Sequence, residues 1–209
     1  IITGSSSFTA VSDLVFTCDW YLDGGFNRNH LMLNGQTFNV GNHALEMRNC
    51  LINSGKLTGD FEIQGKFSVG YDVNDTLKFE GNITVTDTLM ANTYGGGYGI
   101  YKLRIDGNLT NNGIIKDNMD ARAPLNDDDL EIQITGNITN NGQWSCKYVR
   151  FVGSDTQNIS QEGGRFFDSY FYDLNPYSDI IAQTDITVLH DFDLNGANLN
   201  MAGNTLTIE

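Results

Sequence analysis

The chain has 209 residues, 40% of them hydrophobic, and 26 acidic against 12 basic residues give a formal net charge of −14. That balance excludes nucleic acid as a partner, because phosphate contacts need clustered Lys and Arg. It also disfavours an anionic membrane surface, and no apolar run approaches the roughly 18 residues of a membrane-inserting helix.

Residues 1–10 are rich in Ser and Thr, which predicts a linker or an N-terminal capping turn. Residues 11–209 read as a single domain, since two prolines and an even composition mark no boundary. No dozen-residue stretch carries apolar positions at i, i+3, i+4 and i+7, so helix content should be very low. The early runs Leu31-Met-Leu33, Phe38-Asn-Val40 and Leu45-Glu-Met47 are separated by Asn34-Gly35 and Gly41-Asn42. Their alternation sends every second side chain to one face, and Asn and Gly suit the corners because both tolerate positive φ.

From residue 61 the runs become copies of a phrase. Phe61-Glu-Ile-Gln-Gly-Lys-Phe67 anticipates Leu77-Lys-Phe-Glu-Gly-Asn-Ile-Thr84. Leu103-Arg-Ile-Asp-Gly-Asn-Leu-Thr-Asn-Asn-Gly-Ile-Ile115 then returns as Ile132-Gln-Ile-Thr-Gly-Asn-Ile-Thr-Asn-Asn-Gly-Gln-Trp144, with Gly107 and Gly136 29 residues apart. Two stretches read as insertions: the glycine–aromatic segment 92–101 and the acidic segment 117–129. The opening grammar closes the chain in Phe192-Asp-Leu194, Leu199-Asn-Met201 and Leu206-Thr-Ile208.

Repetition at this spacing predicts a solenoid, whose coils bury apolar side chains only by stacking on each other. Asn-Gly between alternating runs also signals hairpins, so an antiparallel sandwich or barrel is the competing arrangement. Strands that recur in similar phrases, and turn residues that recur at equivalent places, favour parallel coils with Asn ladders at the corners. The expectation is an all-β, right-handed parallel β-helix of roughly eight coils, on the order of 40 Å long. The abrupt start at Ile1 and the stop at Glu209 in mid-pattern suggest a fragment of a longer chain.

Gly136-Asn-Ile-Thr-Asn-Asn-Gly142, Val149-Arg-Phe-Val-Gly-Ser-Asp-Thr-Gln-Asn-Ile-Ser160, Phe171-Tyr-Asp-Leu174, Asp185-Ile-Thr-Val188 and Leu199-Asn-Met-Ala-Gly-Asn-Thr-Leu-Thr-Ile208 resemble the β-helical repeat regions of large secreted surface proteins of Bacteroidetes. The likeness covers about residues 75–209 and implies export to the cell surface and a role in adhesion or gliding. That family has no universal catalytic residues. Asp75-Thr-Leu77 and Asp87-Thr-Leu89 also look like the short O-glycosylation signal of those bacteria, which would place sugars on Thr76 and Thr88.

Several residues are candidates for chemistry. Asn-x-Ser/Thr occurs at Asn74, Asn82, Asn108, Asn137 and Asn158, as Asn- and Thr-rich strands produce freely. Asp127, Asp128 and Asp129 are consecutive carboxylates whose repulsion a calcium ion would relieve, as solvent also would. Asp191-Phe-Asp-Leu-Asn-Gly196 matches the opening of a calcium loop, but Ala202 stands where a bidentate acid belongs. Tyr94, Tyr98 and Tyr101 offer aromatic faces for sugar rings; Tyr170, Phe171, Tyr172 and Tyr177 form a second aromatic group.

Asp117, Asp120, Asp127 and Arg122 resemble the groups of a polysaccharide-cleaving β-helix, but they share one loop rather than stacked strands. His30, His43 and His190 are scattered, and no Ser/His/Asp or Cys/His set is evident. Cys18, Cys50 and Cys146 lack metal-type spacing. They read as packing residues, with a Cys18–Cys50 bridge left open. The sequence thus points to a non-catalytic structural or adhesive segment, extracellular and on the cell surface. No cofactor is required beyond a possible calcium ion. Partners would be glycans, neighbouring surface proteins or copies of itself. A glycan-binding module and a polysaccharide-degrading or tail-spike-like β-helix are the alternatives.

Overall fold

Strand pairing decides between the two arrangements. In the computed structural model the backbone is described for residues 2–3, 7–9, 11–15, 20–23, 29–32, 37–39, 45–48, 50–52, 55–63, 66–69, 76–91, 100–119, 127–146, 148–162, 179–188 and 198–208, and side chains chiefly from residue 56 onward. Among the described residues the strands pair in parallel, except where Asn118–Met119 runs antiparallel to Asp127–Asp128. The chain is an all-β solenoid of stacked parallel sheets, and no helix occurs among the described residues.

Most coils give one strand to each of three sheets. The first sheet has ten strands, from Ile2–Thr3 through Phe61–Ile63, Ile83–Val85, Leu109–Asn111, Ile138–Asn140 and Gln157–Gln161 to Leu199–Asn200. The second runs through Lys66–Val69, Thr88–Ala91, Ile114–Lys116 and Gln143–Ser145; the third through Gly55–Thr58, Thr76–Glu80, Ile100–Asp106, Asp127–Ile134 and Tyr148–Phe151. Among the described residues the three sheets hold ten, seven and eight strands, in keeping with the roughly eight coils expected. Within residues 1–10, Ile2–Thr3 pairs in the first sheet and Ser7–Thr9 in the second.

Coil length varies without disturbing register. Stacked corner residues are separated by 22, 26, 29 and 21 residues in successive coils. The variation is absorbed between strands, while each strand keeps its partner.

Like side chains therefore stack on like. Leu57, Phe79, Ile105, Ile134 and Phe151 form one buried column on the third sheet, and Leu77, Leu103, Ile132 and Val149 a second. Phe67, Leu89, Ile115 and Trp144 stack on the second sheet, and Ile83, Leu109, Ile138 and Ile159 on the first. The Phe67 and Phe79 rings meet edge-to-face, 6.2 Å apart at 69°. Each such Leu, Ile or Phe contributes about 1.5–3 kcal/mol by leaving water. Gly81, Gly107 and Gly136 stack at the corner entering the first sheet. A Cβ on Gly107 would lie 2.0 Å from the Gly81 carbonyl oxygen, so close coil approach demands glycine there.

Candidate functional site: the outer face of the first sheet

The corner that follows each stacked glycine carries an asparagine ladder. The Asn82 backbone N–H and Nδ2 both donate to Asp60 Oδ1, at 2.8 and 3.0 Å. Asn108 makes the same pair of bonds to Asn82 Oδ1, each 3.0 Å. Asn137 N–H donates to Asn108 Oδ1 at 2.8 Å, and Asn158 N–H to Asn137 Oδ1 at 2.8 Å. Gln183 Nε2 extends the line to Asn158 Oδ1 at 2.6 Å. Asp60, Asn82, Asn108 and Asn137 each cap a backbone donor that strand pairing leaves over at the corner.

Four of the five Asn-x-Ser/Thr sequences are these ladder residues; Asn74 lies outside the described residues. The motif follows from the winding. Asn sits at the corner, the next residue points into the core, and the Ser or Thr after it points out.

The outward residues between corners form a second line. Thr84, Thr110, Thr139 and Ser160 are in register and half-exposed, and Ser160 Oγ donates to Thr139 Oγ1 at 3.2 Å. Beyond them, at the turn into the second sheet, lies a groove of about 370 Å³ lined by Thr86, Asp87, Asn112, Ile114 and Gln143 with Gly113 and Gly142. Thr88 Oγ1 donates to Asp87 Oδ1 at 2.8 Å, and Asn141 Nδ2 to Asn112 Oδ1 at 2.9 Å.

Under this turn the inward column changes character. Val85 is followed in register by Asn111 and Asn140, both 0% exposed. Asn111 Nδ2 donates to Asn140 Oδ1 at 2.8 Å and to the Gln143 carbonyl at 2.9 Å, while Asn111 Oδ1 accepts from Gly113 N–H at 3.1 Å. Asn140 Nδ2 is buried with no partner. The turn between the third and first sheets is filled similarly by buried Gln157, whose Nε2 donates to the Ile134 and Gly136 carbonyls and whose Oε1 accepts from Gly153 N–H.

The third sheet's outer face carries an ionic lattice. Lys56 pairs with Glu80 at 2.9 Å; Lys78 reaches Glu80 at 3.1 Å and Asp106 at 2.9 Å; Arg104 meets Asp106 at 2.9 Å. Hydrogen bonds from Lys56 and Lys78 hold the Glu80 carboxyl below its ordinary pKa. Burial pushes Asp106 up, but hydrogen bonds from Lys78 and Arg104 outweigh it and hold it low. The same contacts, Asp106 first, raise Lys78. Further along, Glu131, 3% exposed, lies 3.1 Å from Arg150 Nε and accepts a 2.5 Å bond from Gln133 Nε2. Sequence reasoning missed this lattice. Its signal is a basic residue two before an acidic one around a core position, in Lys78-Phe-Glu80 and Arg104-Ile-Asp106.

The residues singled out from sequence are dispersed. Tyr94 and Tyr98 lie outside the described residues. Tyr101 does not offer a ring face to a sugar: it is 3% exposed, because strand Ile100–Asp106 alternates and sends Tyr101, Leu103 and Ile105 inward together. Asp127, Asp128 and Asp129 begin the strand Asp127–Ile134 rather than ending a loop. Asp129 is half-buried, and the side chains of Asp127 and Asp128 lie outside the described residues. No group of three or more metal-ligating side chains occurs among the described residues.

Asp117 Oδ1 accepts from Leu130 N–H at 2.7 Å; Asp120 and Arg122 are outside the described residues. So are Cys18, His43, His190, the 170–177 aromatic group and Asp191 to Gly196. The Thr76 side chain is exposed and that of Thr88 half-exposed. Cys146 is free and fully buried, its Sγ–H donating to the Leu130 carbonyl at 2.9 Å. Burial, aided by the charge of Asp117, pushes its thiol pKa well above the ordinary 9.0.

No protein-family model, curated protein or solved structure matches the chain.

Proposed function

We propose that the chain is a non-catalytic structural and adhesive segment of an extracellular bacterial surface protein, a stiff rod that spaces or presents binding surfaces. The observation that carries this reading is the continuity of the ladders. Backbone pairing, corner asparagines and ion pairs all run along one axis, so bending the rod strains many hydrogen bonds at once. Nine steps between ten strands of the first sheet make a stack about 43 Å tall at about 4.8 Å per step.

The partners proposed are glycans, neighbouring surface proteins or further copies of the chain. The acidic surface suits a protein that stays soluble outside the cell. The test is antibody labelling of intact cells that make the protein, together with adhesion of cells from which the coding segment has been excised. Labelling without permeabilisation and weakened adhesion are expected. Labelling that requires permeabilisation overturns the reading.

A further inference from the structure

The corner ladder accounts for the asparagines, but nothing in the stacking requires hydroxyls between them. Across four coils the outward positions of the first sheet are Asn82, Thr84, Thr86; Asn108, Thr110, Asn112; Asn137, Thr139, Asn141; and Asn158, Ser160, Glu162. In a chain of net charge −14 these twelve positions include one charge, Glu162 at one end, while exposed Asp60 and Glu62 adjoin the other end, so the uncharged stretch is the three coils from Asn82 to Asn141. Outward positions two residues apart are about 6.6 Å from each other, and coils about 4.8 Å, so the three uncharged coils form a two-dimensional array of hydroxyls and amides. Each hydroxyl has one donor and two acceptor lone pairs and each amide two of both; the corner ladder, the Asn141–Asn112 bond and the Thr86 and Ser160 hydroxyl bonds take part of this capacity, and the remainder faces outward. The groove of about 370 Å³ runs beside this array over three coils, with the half-exposed Ile114 as an apolar wall between Asp87 and Gln143.

We propose that this face and its groove bind an extended, neutral, β-linked polysaccharide strand lying along the rod axis. Three features select that ligand. The array repeats along the axis, and an extended β-linked polysaccharide advances by nearly one coil per sugar. Successive sugars therefore meet equivalent hydrogen-bonding groups, and weak contacts add up along the strand. The three coils from Asn82 to Asn141 present no cation at these positions, and Asp60, Glu62 and Glu162 border them, so polyanionic glycans are repelled. Ile114 supplies the apolar contact that the C–H side of a sugar ring takes, while Asp87, Asn112 and Gln143 supply hydrogen bonds. The inference rests on the glycan partner of the proposed function and specifies it; the spacer role is separate, since a rod with no ligand on this face would still be a spacer.

The experiment is affinity electrophoresis of the whole chain through gels containing mixed-linkage β-glucan, glucomannan, xylan or polygalacturonate. At least one neutral polymer should retard the protein, and polygalacturonate should not. The variant Thr110→Val/Thr139→Val/Gln143→Ala keeps β-branched residues on the strands and removes three hydrogen-bonding groups. Its retardation should fall about tenfold, with its melting midpoint kept as the control for folding. Lys102→Ala, on the third sheet, should bind as the parent does.

Should the triple variant fold poorly, hydrogen exchange of the parent with saturating polymer decides the matter, with protection expected at residues 82–87, 108–114 and 137–143. The proposal is overturned by absence of retardation in every neutral gel, by equal retardation in polygalacturonate, or by a folded triple variant that binds unchanged. Loss of binding in Tyr94→Ala/Tyr98→Ala with the triple variant still active also overturns it, because the site would then be the tyrosine segment. None of these outcomes bears on surface exposure, which antibody labelling reads separately.

Discussion

Asn111 and Asn140 stack in one buried column and are the same residue type, yet replacing them should have very different consequences. Asn111→Val leaves three groups behind: Asn140 Oδ1, the Gln143 carbonyl and Gly113 N–H. Valine fits the position, because Val85 occupies it one coil earlier. The loss is therefore one of hydrogen bonding rather than volume. At about 1 kcal/mol per lost bond, with more for a buried group left unsatisfied, Asn111→Val should destabilise by about 3–5 kcal/mol.

Asn140→Val breaks only the bond from Asn111 Nδ2, which keeps the Gln143 carbonyl, and removes an amide nitrogen that has no partner at all. Its cost should be about 0–1 kcal/mol. The double variant should be more stable than Asn111→Val alone, since it no longer strands the Asn140 amide; the two sites share a partner and are not additive. Urea unfolding followed by far-UV circular dichroism measures all three differences, and an unchanged slope confirms that the same surface is exposed each time. Equal costs for the two single variants, or a larger cost for Asn140→Val, would refute the assignment of this column.

Three further outcomes follow from other parts of the solenoid. Gly107→Ala places a Cβ 2.0 Å from the Gly81 carbonyl oxygen, so the coils must part locally; a loss of about 2–4 kcal/mol in urea is expected, against less than about 0.5 kcal/mol for an exposed substitution such as Asn198→Ala. Glu80 and Asp106 have folded pKa values below their ordinary 4.5 and 3.8, so their stabilisation is present above those values and lost as pH falls through the lower folded ones. Lys78, raised above 10.5, contributes below that pH and loses its contribution as pH climbs past its folded value. Lys78→Met should cost about 0.2–1 kcal/mol at pH 6 and almost nothing at pH 2; an equal cost at both would assign the effect to the side-chain stem instead. Ala202 has φ 51° ahead of Gly203 at φ 89°, a left-handed pair that suits Asn followed by Gly, so Ala202→Asn should raise stability by about 0.5–1 kcal/mol in thermal unfolding.

Parallel winding was legible because it is written in recurrence: Gly107-Asn108 and Gly136-Asn137 share one corner, and the intervening Leu109 and Ile138 share one column. Tyr101 was legible too, had the alternation of Leu103 and Ile105 been run back two residues; its glycine-rich neighbourhood suggested a loop instead. The same step from Ile132 reaches Leu130 and extends the strand towards the acidic triplet. Burial of Asn111 and Asn140 was hidden, since Asn is usually exposed and only a stacked neighbour makes a buried amide tolerable. The ionic lattice was hidden for a different reason. Lys56 and Glu80 are 24 residues apart, and only the register of the third sheet brings them together.

The contrast between the first and third sheets bears on function. Both present outward side chains to water, and an apolar array on either would invite aggregation. Lys78, Glu80, Arg104 and Asp106 show one way to avoid it, with charges that pair along each strand and, through Lys78–Asp106, across coils, and add some stability. The first sheet avoids it with Thr84, Thr110 and Thr139, which carry no charge and gain little from one another. Solubility alone would allow either solution on either face, and β-propensity would accept Val as readily as Thr at these positions. A recurring hydroxyl, on three uncharged coils of this face between Glu62 and Glu162, is therefore the feature that stacking, solubility and propensity leave over, and a neutral ligand along the axis accounts for it.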